Sequence, residues 1–523
     1  MSDRSRPARG EMPAGAAQAP PSAPDAFPLA FVGVWLVGTL AVITPFWLAI
    51  VPPMTDVSQH VLVARILKRY GDPSSRYADY FTIVSTTSPT VLFYHVLGAL
   101  QSTVGPFTDA KVYLSGFVVL LSASAWMLGR VQRVEMPALA GLLVLPVGGC
   151  WYVYTGLLPF VMTFPLFALT VAAWRSRLGP TIKVPLLWVG LLTLYAFHIV
   201  GAAAAAIVIA TDALVATLRR PRTLRPLLIG IAAGIPLVGV VATYLRGDHG
   251  PTMTIVYGGV VSNLIHSIYY MCSSLTRTGR TLMLLWLAGI GGAALWQGAR
   301  HRFPAERLAP VLVLSALSVL LPASLGALWP AGPRLLPYAM ILLVAGLSCS
   351  RRALGRVGLV MLILVLTLNI DNALQARALD RQYRQFLSGI PLVAPGSKLL
   401  PILIDPQAAA KSIWPFSTLA SAYSVFRGGA TPYVFAAPYV KTGASPLRYR
   451  HREEFGYAFL YGPPRPAMDY RGVGRQYDYV LVWGVDPELD AVLAQELTLR
   501  HRDGPLRLYA STRGDRHHAN TGR

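Results

Sequence analysis

The chain has 523 residues, 54% of them hydrophobic and only 13% charged, and it carries a formal charge of +22 at pH 7. So apolar a composition excludes a soluble globular protein of this size. The positive charge does not point to nucleic acid, because it is concentrated in short loops between apolar runs: Arg219, Arg220, Arg222 and Arg225, then Arg300, Arg302 and Arg307, then Arg351, Arg352 and Arg356. That placement is what the positive-inside bias leaves on a multi-pass membrane protein.

In chain order, residues 1–27 are rich in Ala, Pro and Gly and read as a disordered cytoplasmic tail. The first apolar run is too long for a signal-peptide core and lacks a small-residue cleavage site after it, so it reads as a retained first span. Expected spans are 28–51, 89–104, 108–129, 137–149, 156–174, 184–199, 200–218, 225–245, 281–299, 308–329, 333–350 and 355–371. The fold class is therefore mainly α: a polytopic bundle of about 11–13 transmembrane helices, followed by a C-terminal α/β region. The Arg-rich loops belong in the cytoplasm, which puts loop 246–280 and everything after the last span outside. An even number of spans conflicts with that placement. One of the pieces 89–104 and 137–149, or the pair at 184–218, is thus counted wrongly.

Two outside segments stand apart from the spans, 52–88 and 372–523. In the second, "KLLPILI" (398–404), "YDYVLVWG" (477–484) and "LRLYAS" (506–511) read as strands, and "DPELDAVLAQEL" (486–497) as a helix. Cys150, Cys272 and Cys349 lie far apart, with no metal-ligand spacing and no disulfide framework.

The first segment opens "PPMTDVSQHVLVARILKRYGD" (52–72). Asp56 suits a helix N-cap, and Gln59 three residues on completes a capping-box-like pair. Val57, Val61, Ala64 and Leu67 form an apolar stripe with Arg65, Lys68 and Arg69 on the other side, a helix suited to the membrane interface. Asp56 and His60, four apart, project to one face. Two readings stand side by side. Either Asp56 is a cap and His60 an interfacial polar residue, or the carboxylate is a base that takes a proton from an acceptor hydroxyl, with the imidazole beside it.

Beyond these residues the chain resembles the GT-C class of polyprenyl-phosphate-sugar glycosyltransferases, with the architecture of protein mannosyltransferase and aminoarabinose transferase. The matching pieces are "PPMTDVSQHVLVARIL" (52–67), "TTSPTVLFYHVLGALQSTVG" (86–105), "WYVYTGLLPFVMTFPLFALTVAAW" (151–174), "LLTLYAFHIVGAA" (191–203), "GPRLLPYAMILL" (332–343) and "DRQYRQFLSGIPLVAPGSKLLPILIDP" (380–406). The resemblance covers most of the chain from about residue 30. It implies a bundle over 28–371 with a catalytic first outside loop, a soluble domain over 372–523 and residence in a bacterial inner membrane. It also implies a polyprenyl-phosphate-linked sugar as donor. By position, Asp56 matches the early acid that serves the class as catalytic base or metal-site residue. Many members carry a second acid beside or near it; here Val57 and Ser58 follow and the next acids are Asp72 and Asp79, so a divalent metal is left open without the support of a second adjacent acid.

Four further ionisable residues and one aromatic set complete the candidates. Arg334 follows "WPAGP" at the outer start of a late span, where a fixed guanidinium suits a lipid phosphate. His198, in "YAFHIV" near the outer end of a span, is a candidate for the same site. His95 and His266 are weaker candidates, and Trp329, Trp151 and Tyr152 suit an interfacial aromatic belt. The expected assignment is Asp56 and His60 as catalytic residues, with Arg334 and His198 at the donor phosphate. The rival is a non-catalytic member of the same fold that binds lipid-linked glycans or scaffolds envelope assembly. A secondary transporter fits less well, because the spans carry almost no midplane charge.

Overall fold

The computed structural model describes residues 29–84, 88–221, 223–246, 255–300, 303–325, 328–405, 413–436, 445–455 and 470–512. The tail expected over 1–27 lies outside them, as do Arg222, Arg302 and residues 247–254.

Among the described residues, seven helices are long and apolar enough to cross a membrane: Thr108–Val131, Leu158–Arg175, Pro180–Phe197, Ile199–Arg219, Arg225–Tyr244, Arg277–Ala299 and the first part of a long C-terminal helix. Shorter apolar segments, Val32–Trp47, Pro137–Gly149 and Gly332–Gly346, pack among them. Many faces of the long helices are exposed and apolar, as in Val189, Leu218, Val238 and Leu295. In water such faces would be costly, and in lipid they are the solvent-facing surface. The chain is a multi-pass membrane protein.

The bundle has two chemically different ends. At one, Arg175 pairs with Asp212 at 2.8 Å, Arg219 pairs with Glu306, and Arg307 donates to the Gln132 carbonyl. These contacts gather four helices, Thr108–Val131, Leu158–Arg175, Ile199–Arg219 and Ala305–Leu320, at the arginine-rich end. At the opposite end lie His198, Arg334 and the first loop, together with the described part of the C-terminal region that pairs with that loop.

The expected span at 89–104 is the 14-residue helix Val91–Val104, about 21 Å long. It packs along the loop helix Val57–Lys68, with Gln101 Nε2 donating to the Val61 carbonyl at 2.9 Å. The piece at 137–149 is a seven-residue helix continued as a 3₁₀ turn. The pair at 184–218 is two helices, broken at His198.

The loop helix also differs from expectation. Val57 through Ala64 are all buried, polar Ser58, Gln59 and His60 included, and only Lys68 and its neighbour Arg69 are well exposed. An interfacial helix would keep its polar face in water. This one is instead enclosed between the bundle and the C-terminal region.

The C-terminal helix Arg351–Leu387 runs unbroken through residue 371, where the sequence suggests a boundary. Beyond it a four-stranded sheet forms in the order Leu399–Leu403, Tyr479–Trp483, Leu506–Ala510, Thr498–Asp503. The first pair is parallel and the others antiparallel. Thr498–Asp503 is not expected from the sequence: its charged, mostly exposed residues hide an edge strand from a hydrophobicity reading. The expected helix at 486–497 is present as Pro487–Leu493, capped by Asp486 Oδ1.

This region is tied to the first loop by secondary structure. Phe81–Ile83 pairs antiparallel with Leu447–Tyr449. Tyr77 donates to the Ser424 carbonyl at 2.7 Å, Tyr80 to the Gly396 carbonyl at 3.0 Å, and Gly429 N–H to the Ser75 carbonyl at 2.7 Å.

Candidate active site

Asp56 occupies the N-cap position of its helix, but its carboxylate makes no capping hydrogen bond. Gln59 does not complete a capping box either. Its amide reaches the C-terminal region, donating to the Tyr433 carbonyl and accepting from Phe435 N–H at 3.0 Å. The cap reading leaves the carboxylate without a task.

The backbone around Asp56 is held from below. Thr55 N–H donates to the Tyr154 carbonyl at 3.1 Å and Asp56 N–H to the Thr155 carbonyl at 2.9 Å. Such close approach needs Gly156, which has φ +84° and whose Cβ, if present, would lie 2.9 Å from Asp56 N. Gly156→Ala therefore carries both a left-handed backbone penalty and a clash with main chain. We expect it to destabilise the protein by about 1–3 kcal/mol, read as a lowered melting temperature in detergent or lipid.

Asp56 keeps a partial opening to the surface and is otherwise crowded by protein. That crowding pushes its carboxyl up to about 7, and the Arg334 guanidinium pulls in the opposite direction without offsetting it. A carboxylate poised near neutrality suits a general base.

His60 follows one turn later. Its Nδ1 lies 3.2 Å from the Tyr94 hydroxyl, and its ring meets the rings of Phe93 and Phe435 edge-on at 5.2 Å each. Burial pushes its pKa down to about 3, and the Gly156 backbone, working the other way, does not offset this. The imidazole is therefore neutral at physiological pH and carries no charge to the site. No hydrogen bond joins it to Asp56 directly.

Arg334 and His198, 136 residues apart in sequence, meet at 3.0 Å between Nη1 and Nε2. Arginine only donates, so Nε2 accepts and the imidazole proton sits on Nδ1. The Val200 N–H at 3.3 Å from Nδ1 competes for the other tautomer, but the shorter charge-assisted contact is the stronger. The second Arg334 arm donates to the Trp329 carbonyl at 2.8 Å, and the guanidinium lies over the Phe160 ring at 5.0 Å. Its Nε is buried without a partner. Among the described residues no carboxylate comes within ion-pairing distance of it. A buried cation held by neutral groups is an incomplete arrangement, and an anion completes it.

Several supporting residues escape a sequence reading. Tyr152, which sequence suggests for an interfacial belt, is fully buried and donates to the Pro333 carbonyl at 2.8 Å, fixing the turn that carries Arg334. The Tyr338 hydroxyl bonds Thr163 at 2.5 Å beneath it. Trp329 is 54% exposed and Trp151 partly so, in keeping with a belt. His95 is exposed on the Val91–Val104 helix, and His266 stacks on Tyr270; neither joins Asp56 or Arg334.

Among the described residues no three His, Cys, Asp or Glu side chains gather as a metal-ligand set. A lone carboxylate under the influence of the Arg334 guanidinium does not fit a divalent metal. An apolar groove of about 480 Å³, lined by Leu120, Trp126, Met127, Arg130 and Leu169 among others, lies toward the arginine-rich end and takes no part in this site.

The fold is that of the GT-C glycosyltransferases. The chain is similar to the solved structures of ArnT from Cupriavidus metallidurans. With the form bound to undecaprenyl phosphate the TM-score is 0.53 at 13% identity, over 92% of this chain and 97% of that one. With the apo form it is 0.54 at 12% identity, over 93% and 98%. No family model and no curated protein matches the sequence. At this identity the likeness establishes the fold alone.

Proposed function

We propose that this chain is a membrane glycosyltransferase that moves a sugar from a polyprenyl-phosphate donor to a hydroxyl-bearing acceptor. The observation that carries the reading is Arg334: a buried guanidinium with only neutral partners, acting electrostatically on a carboxylate whose pKa lies near 7. The ArnT structure bound to undecaprenyl phosphate supports a lipid phosphate as the anion.

In this mechanism Asp56 takes the proton of the acceptor hydroxyl as its oxygen attacks the anomeric carbon. The bond from that carbon to the phosphate oxygen breaks, and polyprenyl phosphate leaves with the electron pair. Arg334 stabilises the charge gathering on the departing phosphate. His198 and the Trp329 carbonyl hold two of the guanidinium's arms, so they position it. His60 and Tyr94 pack together one turn on from Asp56.

We place the site on the outer face of a bacterial inner membrane. Once Val91–Val104 is set aside, the seven long helices with Val32–Trp47, Pro137–Gly149, Ala305–Leu320 and Gly332–Gly346 make an odd number of passes. That parity agrees with cytoplasmic Arg-rich loops, a cytoplasmic N-terminus and an outer C-terminal region.

The reading has a pH signature. A base must be deprotonated to act, and a carboxyl raised to about 7 is ionised only above that value. Turnover of a polyprenyl-phosphate sugar should rise with pH along a limb centred near 7. A limb centred near 4, the ordinary carboxylate range, or no limb between pH 5 and 9, would remove Asp56 from the role.

A further inference from the structure

Asp56 stands in a frame with two sides. The floor is the 154–156 backbone described above. The other side is the C-terminal segment 413–436, which grips the residues flanking Asp56. On one flank, Thr55 Oγ1 accepts from Trp414 N–H at 3.2 Å, and the Thr55 carbonyl accepts from the Thr418 hydroxyl. On the other, the buried Gln59 amide bonds both Tyr433 and Phe435 main chain, and Phe435 carries its ring onto His60. Only an amide side chain offers the adjacent donor and acceptor that this backbone segment requires. Nothing in local helix chemistry asks for it, since the capping box does not form.

We propose that Gln59 is a positioning residue, whose two-bond clamp on the 433–435 backbone holds the C-terminal region as a cover over Asp56. The C-terminal region is then part of the reaction site, beyond any part in choosing the acceptor. This rests on Asp56 being the base, but the clamp itself is measurable without turnover. The cover limits the access of water to a carboxylate that interacts electrostatically with Arg334 and Tyr94 and has the neutral His60 one turn on. Opening it admits water, and the carboxyl falls toward its ordinary range.

The test is an infrared titration of the full chain in lipid, following the carboxylic-acid band that is lost in Asp56→Asn. Gln59→Met keeps length and apolar volume and removes both hydrogen bonds. It should lower the Asp56 midpoint by about one pH unit or more. Thr418→Val, isosteric, breaks the grip on the other flank and should move the midpoint the same way. Tyr77→Phe removes a different tie between the same two regions and should leave the midpoint in place. An unchanged midpoint in both Gln59→Met and Thr418→Val, or an equal shift in Tyr77→Phe, would overturn the proposal. Release of polyprenyl phosphate is recorded on the same samples. A midpoint shift without any wild-type release keeps the clamp and refutes the transferase. Wild-type release with no shift in the variants keeps the transferase and refutes the clamp.

Discussion

Asp56→Asn lowers turnover by about 10²- to 10⁴-fold, the range that a positioned general base contributes. Asparagine has the same shape and is as good an N-cap as aspartate, so the substitution separates the two readings of this residue. The carboxylate makes no capping bond, and a cap role predicts almost no loss. The stability of the variant gives a second readout of opposite sign. A carboxyl raised to about 7 in the folded state and near 3.8 otherwise means that folding binds a proton between those values. Stability contributed by the site is therefore lost as pH rises from about 4 through 7. The asparagine amide does not ionise, so the variant should melt higher than wild type at pH 8 and show no such advantage at pH 4. Lost activity with gained stability is the mark of a residue kept for chemistry.

Arg334→Gln has the second large effect. It removes the cation that the site offers a leaving phosphate, and turnover should fall by about 10²- to 10³-fold, as when an oxyanion donor is deleted. Arg334→Lys should recover little of this. A lysine cannot reach both the His198 Nε2 and the Trp329 carbonyl while presenting a third donor to an anion, as the planar fork does. A third consequence separates chemistry from packing. Arg334 lowers the Asp56 carboxyl, so without it that carboxyl titrates higher. Residual activity in Arg334→Gln should rise along a limb displaced to higher pH than the wild-type limb. A purely structural arginine would reduce activity without moving it.

Much of the architecture is legible in the sequence because lipid imposes simple rules. Long apolar runs and arginine-rich loops follow from the cost of charge in hydrocarbon, and the sequence displays them openly. Asp56, Arg334 and His198 are each conspicuous as ionisable groups beside apolar runs. Their juxtaposition is not, because no local pattern links His198 to Arg334 across 136 residues. We read Val91–Val104 as lying on the bundle, but hydrophobicity does not distinguish such a short helix from one crossing it. Gln59 misleads for a different reason. Its spacing from Asp56 satisfies the capping-box rule, but the backbone at 433–435 outcompetes a cap that aspartate never forms. Tyr152 misleads likewise, since an amphipathic ring suits a membrane interface as well as it suits a buried hydrogen bond to Pro333.

The central claim meets its most direct test in purified protein reconstituted in lipid and incubated with a panel of polyprenyl-phosphate sugars and hydroxyl acceptors, with released polyprenyl phosphate measured. The account predicts release by wild type, loss of release in Asp56→Asn, and undiminished donor binding by that variant. Equal binding by both proteins with no release from any donor would contradict it, and would identify the chain as a lipid-linked-glycan binding protein built on a glycosyltransferase fold.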